Sequence, residues 1–410
     1  MNAGAISPTG RIGLALSGGG IRAAVFHLGV LKYLAEQGLL ERVTQISTVS
    51  GGSLMVGAVF SSARGRWPSS AEFLEAVYPS VRETLVSGDL FSLKALGVGG
   101  LVRENVGILF RRANILARLL RRRWDISLKL SDLPQEPVWH INTTCLETGK
   151  NWRFTRGAMG DWQFGRHYSP EVGVAEAIAA SAAVPYVIGA LKLPLPEHGW
   201  WQTDPATKEP IRQVEPSNRA VRLWDGGAYE NMALEPLYKP MEGLQDCEVL
   251  LCSDASAPLG PPTSILKGVL SGRLASPRLF DIASDQIRSL RSRMLMKSIR
   301  HGQVEGFLIR MGISARSLDR DAAASGEFLS DQDCGACLSY PTNLTKISSA
   351  DFDLITRHGA ETAWLTISAY GRRPTGQRRT APSQDAAPEA PSPGAPGSLD
   401  SGQVARPQGS

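Results

Sequence analysis

The sequence predicts an α/β fold with a mostly parallel central sheet between helices, and three observations lead there. The hydrophobic period switches along the first sixty residues. Ile12 to Leu16 is a short apolar run, Ile21, Ala24, Val25, Leu28, Leu31 and Ala35 recur every three or four residues, and Val43 to Val49 is short and rich in β-branched residues. Both changes from strand to helix pass through glycine, at Ser17-Gly18-Gly19-Gly20 and at Ser50-Gly51-Gly52. With 410 residues, 42% of them hydrophobic and 20% charged, the chain can bury a substantial core. Strand, glycine loop, helix, strand, sharp turn, helix is the order of a parallel sheet whose crossovers cover its faces.

The remaining elements follow from local signals. Gly38 stops the first helix, and a second helix runs from about Ser53 to Phe60. Ala71 to Arg123 reads as mostly helical, with a break at Gly97-Val98-Gly99-Gly100. Val138 to Cys145 and Trp152 to Thr155 read as strands joined by a turn at Glu147-Thr148-Gly149-Lys150. Val174 to Ala183 is a helix of small residues that stops before Pro185. Val221 to Trp224 is a strand leading into Asp225-Gly226-Gly227, and Val249 to Cys252 is another buried strand. Ile282 to Arg300 reads as an amphipathic, basic helix. From about Arg372, Pro, Ala, Ser, Gly, Gln and Arg dominate. Such a stretch cannot bury enough surface to offset its ordering entropy. The expected organisation is a short extension at 1–10, one folded domain at 11–371 and a disordered tail at 372–410.

Composition excludes several classes. A formal net charge of +5 is modest for this length; it suits an anionic membrane surface and does not imply nucleic acid. Five widely spread cysteines argue against a disulfide framework. Cys334 and Cys337 form one C-x-x-C with no second pair nearby, so no metal is expected. The N-terminal MNAGAISPTGR has no basic region followed by an apolar one. The most apolar long stretch, Val172 to Leu191, is interrupted by Glu176 and Pro185 and makes a poor membrane span. The expectation is a soluble cytoplasmic protein, although a leaderless secreted one reads the same.

Three short motifs carry candidate chemistry. Gly18-Gly19-Gly20-Ile21-Arg22 lies between a strand and a helix, where exposed amides and a helix N-terminus attract an anion. Taken alone it fits a tight turn, a cradle for a tetrahedral oxyanion, or a dinucleotide site, since Gly18, Gly20 and Ala23 match G-x-G-x-x-A. Arg22 would either steer a phosphate or brace the loop. Thr48-Val49-Ser50-Gly51-Gly52 approximates the nucleophile elbow G-x-S-x-G, with Thr48 at the first glycine. Asp225-Gly226-Gly227 ends a strand, so its carboxylate either faces a site or closes an ordinary Asp-Gly turn. Histidine is the usual base for a serine nucleophile, yet none of His27, His140, His167, His198, His301 and His358 sits in a recognisable loop motif.

In combination these pieces resemble the patatin-like phospholipase family. Ser17 to Arg22 is similar to its oxyanion-hole block, Val49-Ser50-Gly51-Gly52-Ser53 to its elbow, and Ala179 to Pro185 to its helix-to-proline block. Asp225-Gly226-Gly227 resembles its aspartate motif, with Asn231 following, and Thr143 to Gly149 its central strands. The departures are Ser17 for a frequent Asp, Ala23 for a frequent Gly and Thr48 for the usual Gly. The resemblance implies a three-layer patatin-like catalytic domain over 11–371 that hydrolyses lipid acyl esters, as a phospholipase A or lysophospholipase does. It also implies a Ser50–Asp225 dyad, an oxyanion hole at Gly18, Gly19 and Gly20, support from Gly51, Gly52, Gly226 and Gly227, and no cofactor. The rivals are a non-catalytic lipid-binding protein of the same fold and a nucleotide-binding protein using the glycine loop. The segment 109–124 places Arg111, Arg112, Arg118, Arg121, Arg122 and Arg123 among Ile115, Leu116, Leu119 and Leu120. It is expected to dock peripherally on anionic membranes.

Overall fold

The computed structural model describes residues 10–87, 112–185, 188–204, 207, 209–259, 276–319 and 327–371. Along the chain the strands are β1 (Ile12–Leu16), β2 (Val43–Thr48), β3 (Val138–Cys145), β4 (Asn151–Phe154), β5 (Ala158–Asp161), β6 (Gly165–Tyr168) and β7 (Leu191–Pro194). They continue as β8 (Trp200–Thr203), β9 (Pro210–Val214), β10 (Ala220–Asp225), β11 (Tyr238–Lys239), β12 (Gly243–Leu244), β13 (Val249–Asp254) and β14 (Glu305–Arg310). The centre is a parallel sheet in the order β14-β13-β1-β2-β3, with an antiparallel extension beyond β3.

Alternation along the central strands builds three layers. Ile12, Leu14 and Leu16 of β1, Val249 and Leu251 of β13, and Phe307 and Ile309 of β14 enter one core. That core is closed by α1 (Gly20–Glu36), α2 (Gly51–Ser62) and the helix Ser349–Tyr370. Ala15, Leu250, Cys252 and Leu308 point the other way, against Met232, Leu234, Leu237, Tyr238 and Leu295 of the helix Ser276–Arg300. The expected strands form within a residue or two of their predicted ends, and the basic helix expected from Ile282 begins at Ser276. The β5 to β9 extension and the closing helix Ser349–Tyr370 were not anticipated. The extension is built of short strands and turns with no clean apolar alternation.

One feature of the sheet matters most for function. A single edge of β3 is shared by two strands that approach from opposite directions. The parallel β2 pairs up to Thr48↔Ile141, while the antiparallel β10 pairs down to Asp225↔Thr143. The ends of β2 and β10 therefore meet head to head, two residues apart along β3. Of the expected helix 71–123, helical segments at 70–87 and Arg112–Arg123 form; the glycine break at 97–100 lies outside the described residues, as do 1–9 and the tail 372–410.

Candidate active site

That meeting point brings Ser50 and Asp225 together. Ser50 leaves β2 with φ 50° and ψ −112°, a conformation unfavourable for a residue with a Cβ. The turn is held by Val49 N–H donating to Leu16 O (3.1 Å), Gly52 N–H to Val49 O (2.9 Å) and Leu54 N–H to Ser50 O (3.0 Å). A side chain at Gly51 would strike the Gly20 carbonyl, and one at Gly52 the Leu16 carbonyl. Small residues here are a steric requirement. Asp225 receives Gly227 N–H on Oδ1 (2.7 Å) and interacts through its carboxylate with the Ser50 side chain. Burial pushes its pKa from 3.8 up to about 6, against the lowering effect of the Gly227 amide and of Ser50. Gly226 lies against Asn142 O and Val49, again leaving no room for a Cβ.

The glycine loop closes the third side. Gly18 N–H donates to Asn231 O (3.1 Å) and Ile21 N–H to Asn343 O (2.9 Å). Between them, the Gly19 and Gly20 amides have no protein acceptor among the described residues. The Asn231 side chain fills the space beside Gly18 and Gly227 and donates through Nδ2 to Ser256 Oγ (2.8 Å). The close approach that glycine permits at Gly18 and Gly20 is thus toward Asn231 and Asn343 of the chain itself. This disfavours the reading in which these glycines admit a pyrophosphate.

The segment before Pro185 fastens both halves. Ser181 Oγ accepts Ser50 N–H (3.0 Å) and donates to Asn142 O (2.8 Å), while Ala183 O accepts Asp225 N–H (2.9 Å). Ser53 Oγ bridges Ser181 Oγ and Thr48 Oγ1, each at 2.8 Å, and Trp139 Nε1–H donates to Thr48 Oγ1 (2.9 Å). Thr48, where glycine is usual in an elbow, is therefore a buried hydrogen-bonding partner. The sequence marked Ser181 only as part of a motif, and nothing in it signalled the bond to Ser50.

A cleft of about 360 Å³ opens over these groups. Gly18, Gly19, Gly20, Ser50, Asp225 and Gly227 line its floor, with Val184 and Pro185 beside them. Its mouth is formed by Leu259, Phe280, Asp281, Ser284, Asp285, Arg288 and Thr342, none of which was anticipated as part of a site. No histidine lines it among the described residues. His27 sits between Ser253 Oγ (2.8 Å) and Ser17 O (2.9 Å), His140 bonds Gln45 (3.1 Å), and His358 accepts Gly312 N–H (2.9 Å). Burial holds these three down at about 4, 3 and 4, so they are neutral structural groups. Arg22 is buried and donates to Leu338 O (3.3 Å), Tyr340 O (2.8 Å) and Ala255 O (3.2 Å). These bonds tie the start of α1 to Ala255 and to 338–340, and Arg22 also lines the cleft. Cys334 and Cys337 are buried thiols raised by burial to about 11 and 12, and no metal-holding group of His, Cys, Asp and Glu occurs among the described residues.

The basic segment 109–124 differs from expectation in one respect. Residues 109–111 lie outside the description. From Arg112 to Arg123 it is a helix, but Leu116, Leu119 and Leu120 are buried within the protein, where it packs on the helix Val174–Ser181. Those side chains cannot also enter a lipid phase. Arg118, Arg121, Arg122 and Arg123 remain exposed, with Arg121 paired to Glu176. No helix among the described residues is long and apolar enough to cross a membrane.

A three-layer α/β sheet with a serine on a strained elbow and an aspartate at the facing strand end defines an architecture with a known family model. The model for patatin-like phospholipase matches residues 14–238, more than half of the chain, and the protein belongs to that family. Comparison with curated proteins finds no match. Among solved structures the chain is similar to human GIVD cytosolic phospholipase A2, with a TM-score of 0.54 and 14% identity over 88% of this chain. It is also similar to that enzyme in complex with methyl gamma-linolenyl fluorophosphonate, with a TM-score of 0.50, 15% identity and 88% coverage. At this identity the likeness concerns the fold. The chain spans 59% of the human protein's length in the first of these matches.

Proposed function

We propose that the protein hydrolyses lipid acyl esters through a Ser50–Asp225 dyad, as a phospholipase A or lysophospholipase. The observation that carries this reading is the head-to-head junction of β2 and β10, which sets an aspartate of raised pKa against a serine on a strained elbow. Asp225, ionised at neutral pH, takes the Ser50 proton as the hydroxyl oxygen attacks the ester carbonyl. A carboxylate with a pKa near 6 is a better base than one near 4. The Gly19 and Gly20 amides, free of protein acceptors, receive the oxyanion, while Gly18 anchors the loop to Asn231. Protonated Asp225 then gives its proton to the leaving alkoxide. Water attacks the acyl-Ser50 ester as Asp225 takes its proton, and Asp225 returns that proton to Ser50 Oγ as the fatty acid departs. No metal or cofactor takes part in these steps.

The test is labelling of the full chain with a fluorophosphonate, followed by hydrolysis of a phospholipid panel. Ser50 is expected to carry the label, and Ser50→Ala and Asp225→Asn to lose both label and turnover. Equal labelling in Ser50→Ala, or full turnover by a folded Asp225→Asn protein, would overturn the assignment. The proposal of peripheral contact with anionic membranes through 109–124 rests on the exposed Arg118, Arg121, Arg122 and Arg123 alone.

A further inference from the structure

The second face of the sheet carries two arginines that are not among the residues lining the cleft. Register places Asn142 beside Arg153, Arg153 beside Gly160 and Gly160 beside Arg166, so all four share one face. Gly160 contributes no side chain between the two arginines. Among the described residues neither guanidinium makes a hydrogen bond or an ion pair, and Arg153 Nε is inaccessible and unpartnered. Both arginines act on His140, which burial holds at about 3 with their positive charges adding to the effect, so the two side chains converge on one region. The Arg153 pKa is itself lowered, first by burial and then by Arg166.

The nearby carboxylates are already occupied. Asp161 accepts Gln163 N–H (2.9 Å), Phe164 N–H (2.7 Å) and Thr148 Oγ1–H (2.7 Å). Glu235 pairs with Arg291 at 2.7 Å. Glu235, Tyr229 and Asp161 attract Arg153 without a hydrogen bond or ion pair to it, so its burial beside Arg166 is compensated only in part and an entering anion relieves the cost. Both residues are half-buried, with Arg153 Nε covered. A guanidinium fork matches phosphate and carboxylate geometry, and two of them match a dianion best.

We infer that Arg153 and Arg166, converging on one sheet face across Gly160, form a binding site for a phosphate monoester or inorganic phosphate, outside the residues that line the Ser50 cleft. The ligand is the dianion, whether free or carried on a lipid headgroup.

The experiment follows thermal unfolding of the full chain as inorganic phosphate is titrated at matched ionic strength against sodium chloride and sodium acetate. Phosphate is expected to raise the melting temperature by on the order of 2–4 °C beyond either control. Arg153→Gln and Arg166→Gln should each lose that increment, and an exposed-site control, Arg123→Gln, should keep it. Without phosphate, Arg153→Gln should melt no lower than the parent protein, because burial and Arg166 outweigh the groups that attract its charge. Phosphate-31 resonance broadening gives a second readout: it should occur with the parent and vanish with Arg166→Gln, even if Arg153→Gln fails to fold. An equal phosphate increment in both glutamine variants, or no increment in the parent, overturns the site. Phosphatidylcholine vesicles with and without phosphatidylinositol phosphate then separate the two sources. Sedimentation that needs Arg153 and is competed by phosphate identifies a headgroup; a phosphate increment without such sedimentation identifies a free phosphate. Fluorophosphonate labelling should persist in both variants, so failure here is distinct from failure of the dyad.

Discussion

The floor and the mouth of the cleft are built on opposite plans. The floor is backbone and small side chains: Gly18 to Gly20, Ser50, Asp225 and Gly227, all within the residues that the family model matches. Ser50 and Asp225 are only 4% and 6% exposed, and each neighbour's position is enforced by a bond or by steric exclusion. The mouth is long side chains from the later part of the chain, including Leu259, Phe280, Asp281, Arg288 and Thr342. Leu259 is 39% exposed, and Arg288 reaches Asp254 (3.5 Å) and Asp285 (3.0 Å) in a partly solvated network. The difference separates two demands. Transition-state stabilisation needs groups fixed to fractions of an ångström, whereas recognition of a long apolar chain needs area and tolerates rearrangement. If this division is right, changes in the floor act on kcat and changes at the mouth act on KM.

The sharpest break would come at the dyad. Ser50→Ala and Asp225→Asn are each expected to lower kcat by roughly 10⁴-fold on a soluble ester, with the double variant scarcely worse than either. No single histidine variant should match them; a dead but folded His27 or His358 variant would count against the dyad. In the glycine loop, a Cβ at Gly20 would strike Asn343, so Gly20→Ala should cost roughly 10²–10³-fold in kcat by displacing an amide. Circular dichroism and melting curves must show that this variant still folds.

Acid should silence the floor in a defined window. With Asp225 as the base of the proposed dyad and its pKa raised to about 6, kcat/KM should fall about tenfold per pH unit below that value. Stability has the opposite sign. A carboxyl whose folded pKa exceeds its unfolded one binds more protons in the native state. Its ionisation therefore destabilises the fold as pH rises from about 4 through 6. A shift from 3.8 to about 6 corresponds to roughly 3 kcal/mol, so Asp225→Asn should melt higher than the parent at pH 8, and the gap should close by pH 4. Thermal scans across that range decide it.

Ser181 tests whether the fastening segment belongs with the floor. Ser181→Ala deletes the acceptor for the Ser50 amide. A loss of about 10-fold in kcat with KM unchanged is expected, from roughly 1–2 kcal/mol of lost positioning. A rise in KM alone would move it to the recognition side. At the mouth, Phe280→Ala should raise KM for long-chain esters by about 3–10-fold and leave short-chain kcat intact, as expected from roughly 1 kcal/mol of lost apolar contact. The smallest effect is expected outside the cleft. Arg118→Gln with Arg122→Gln and Arg123→Gln should leave turnover of a soluble ester within about twofold, because exposed charges contribute little; vesicle sedimentation reports any membrane role separately.

Much of this was legible from the sequence because its signals were local. The strand Ile12–Leu16 matches the expected run, and the two glycine turns announce themselves through residues that only a tight path requires. Ser50 and Asp225 were recognisable because each ends a β-branched or apolar run beside paired glycines. The partners of Arg22, Ser181 and Thr48 were not, because they lie far along the chain. Arg22 bonds Leu338 and Tyr340, more than three hundred residues away, and Ser181 bonds Ser50. Where the apolar side chains of 109–124 go was hidden for the same reason: amphipathicity reveals that a helix has an apolar face but not what covers it.

The sequence by itself determined the α/β order, the elbow at Ser50, the glycine loop and the carboxylate at the end of β10, since these rest on periodicity and steric need within a few residues. Only the tertiary structure decided that β2 and β10 share one edge of β3, that Ala183 and Ser181 hold the two ends together, and that the later helix Ser276–Arg300 supplies the mouth. The physical reason is that a strand's hydrogen-bonding edges are chemically uniform along its length. Which partner lies on which edge, and in which direction, is settled by how the apolar faces of the whole chain pack at once.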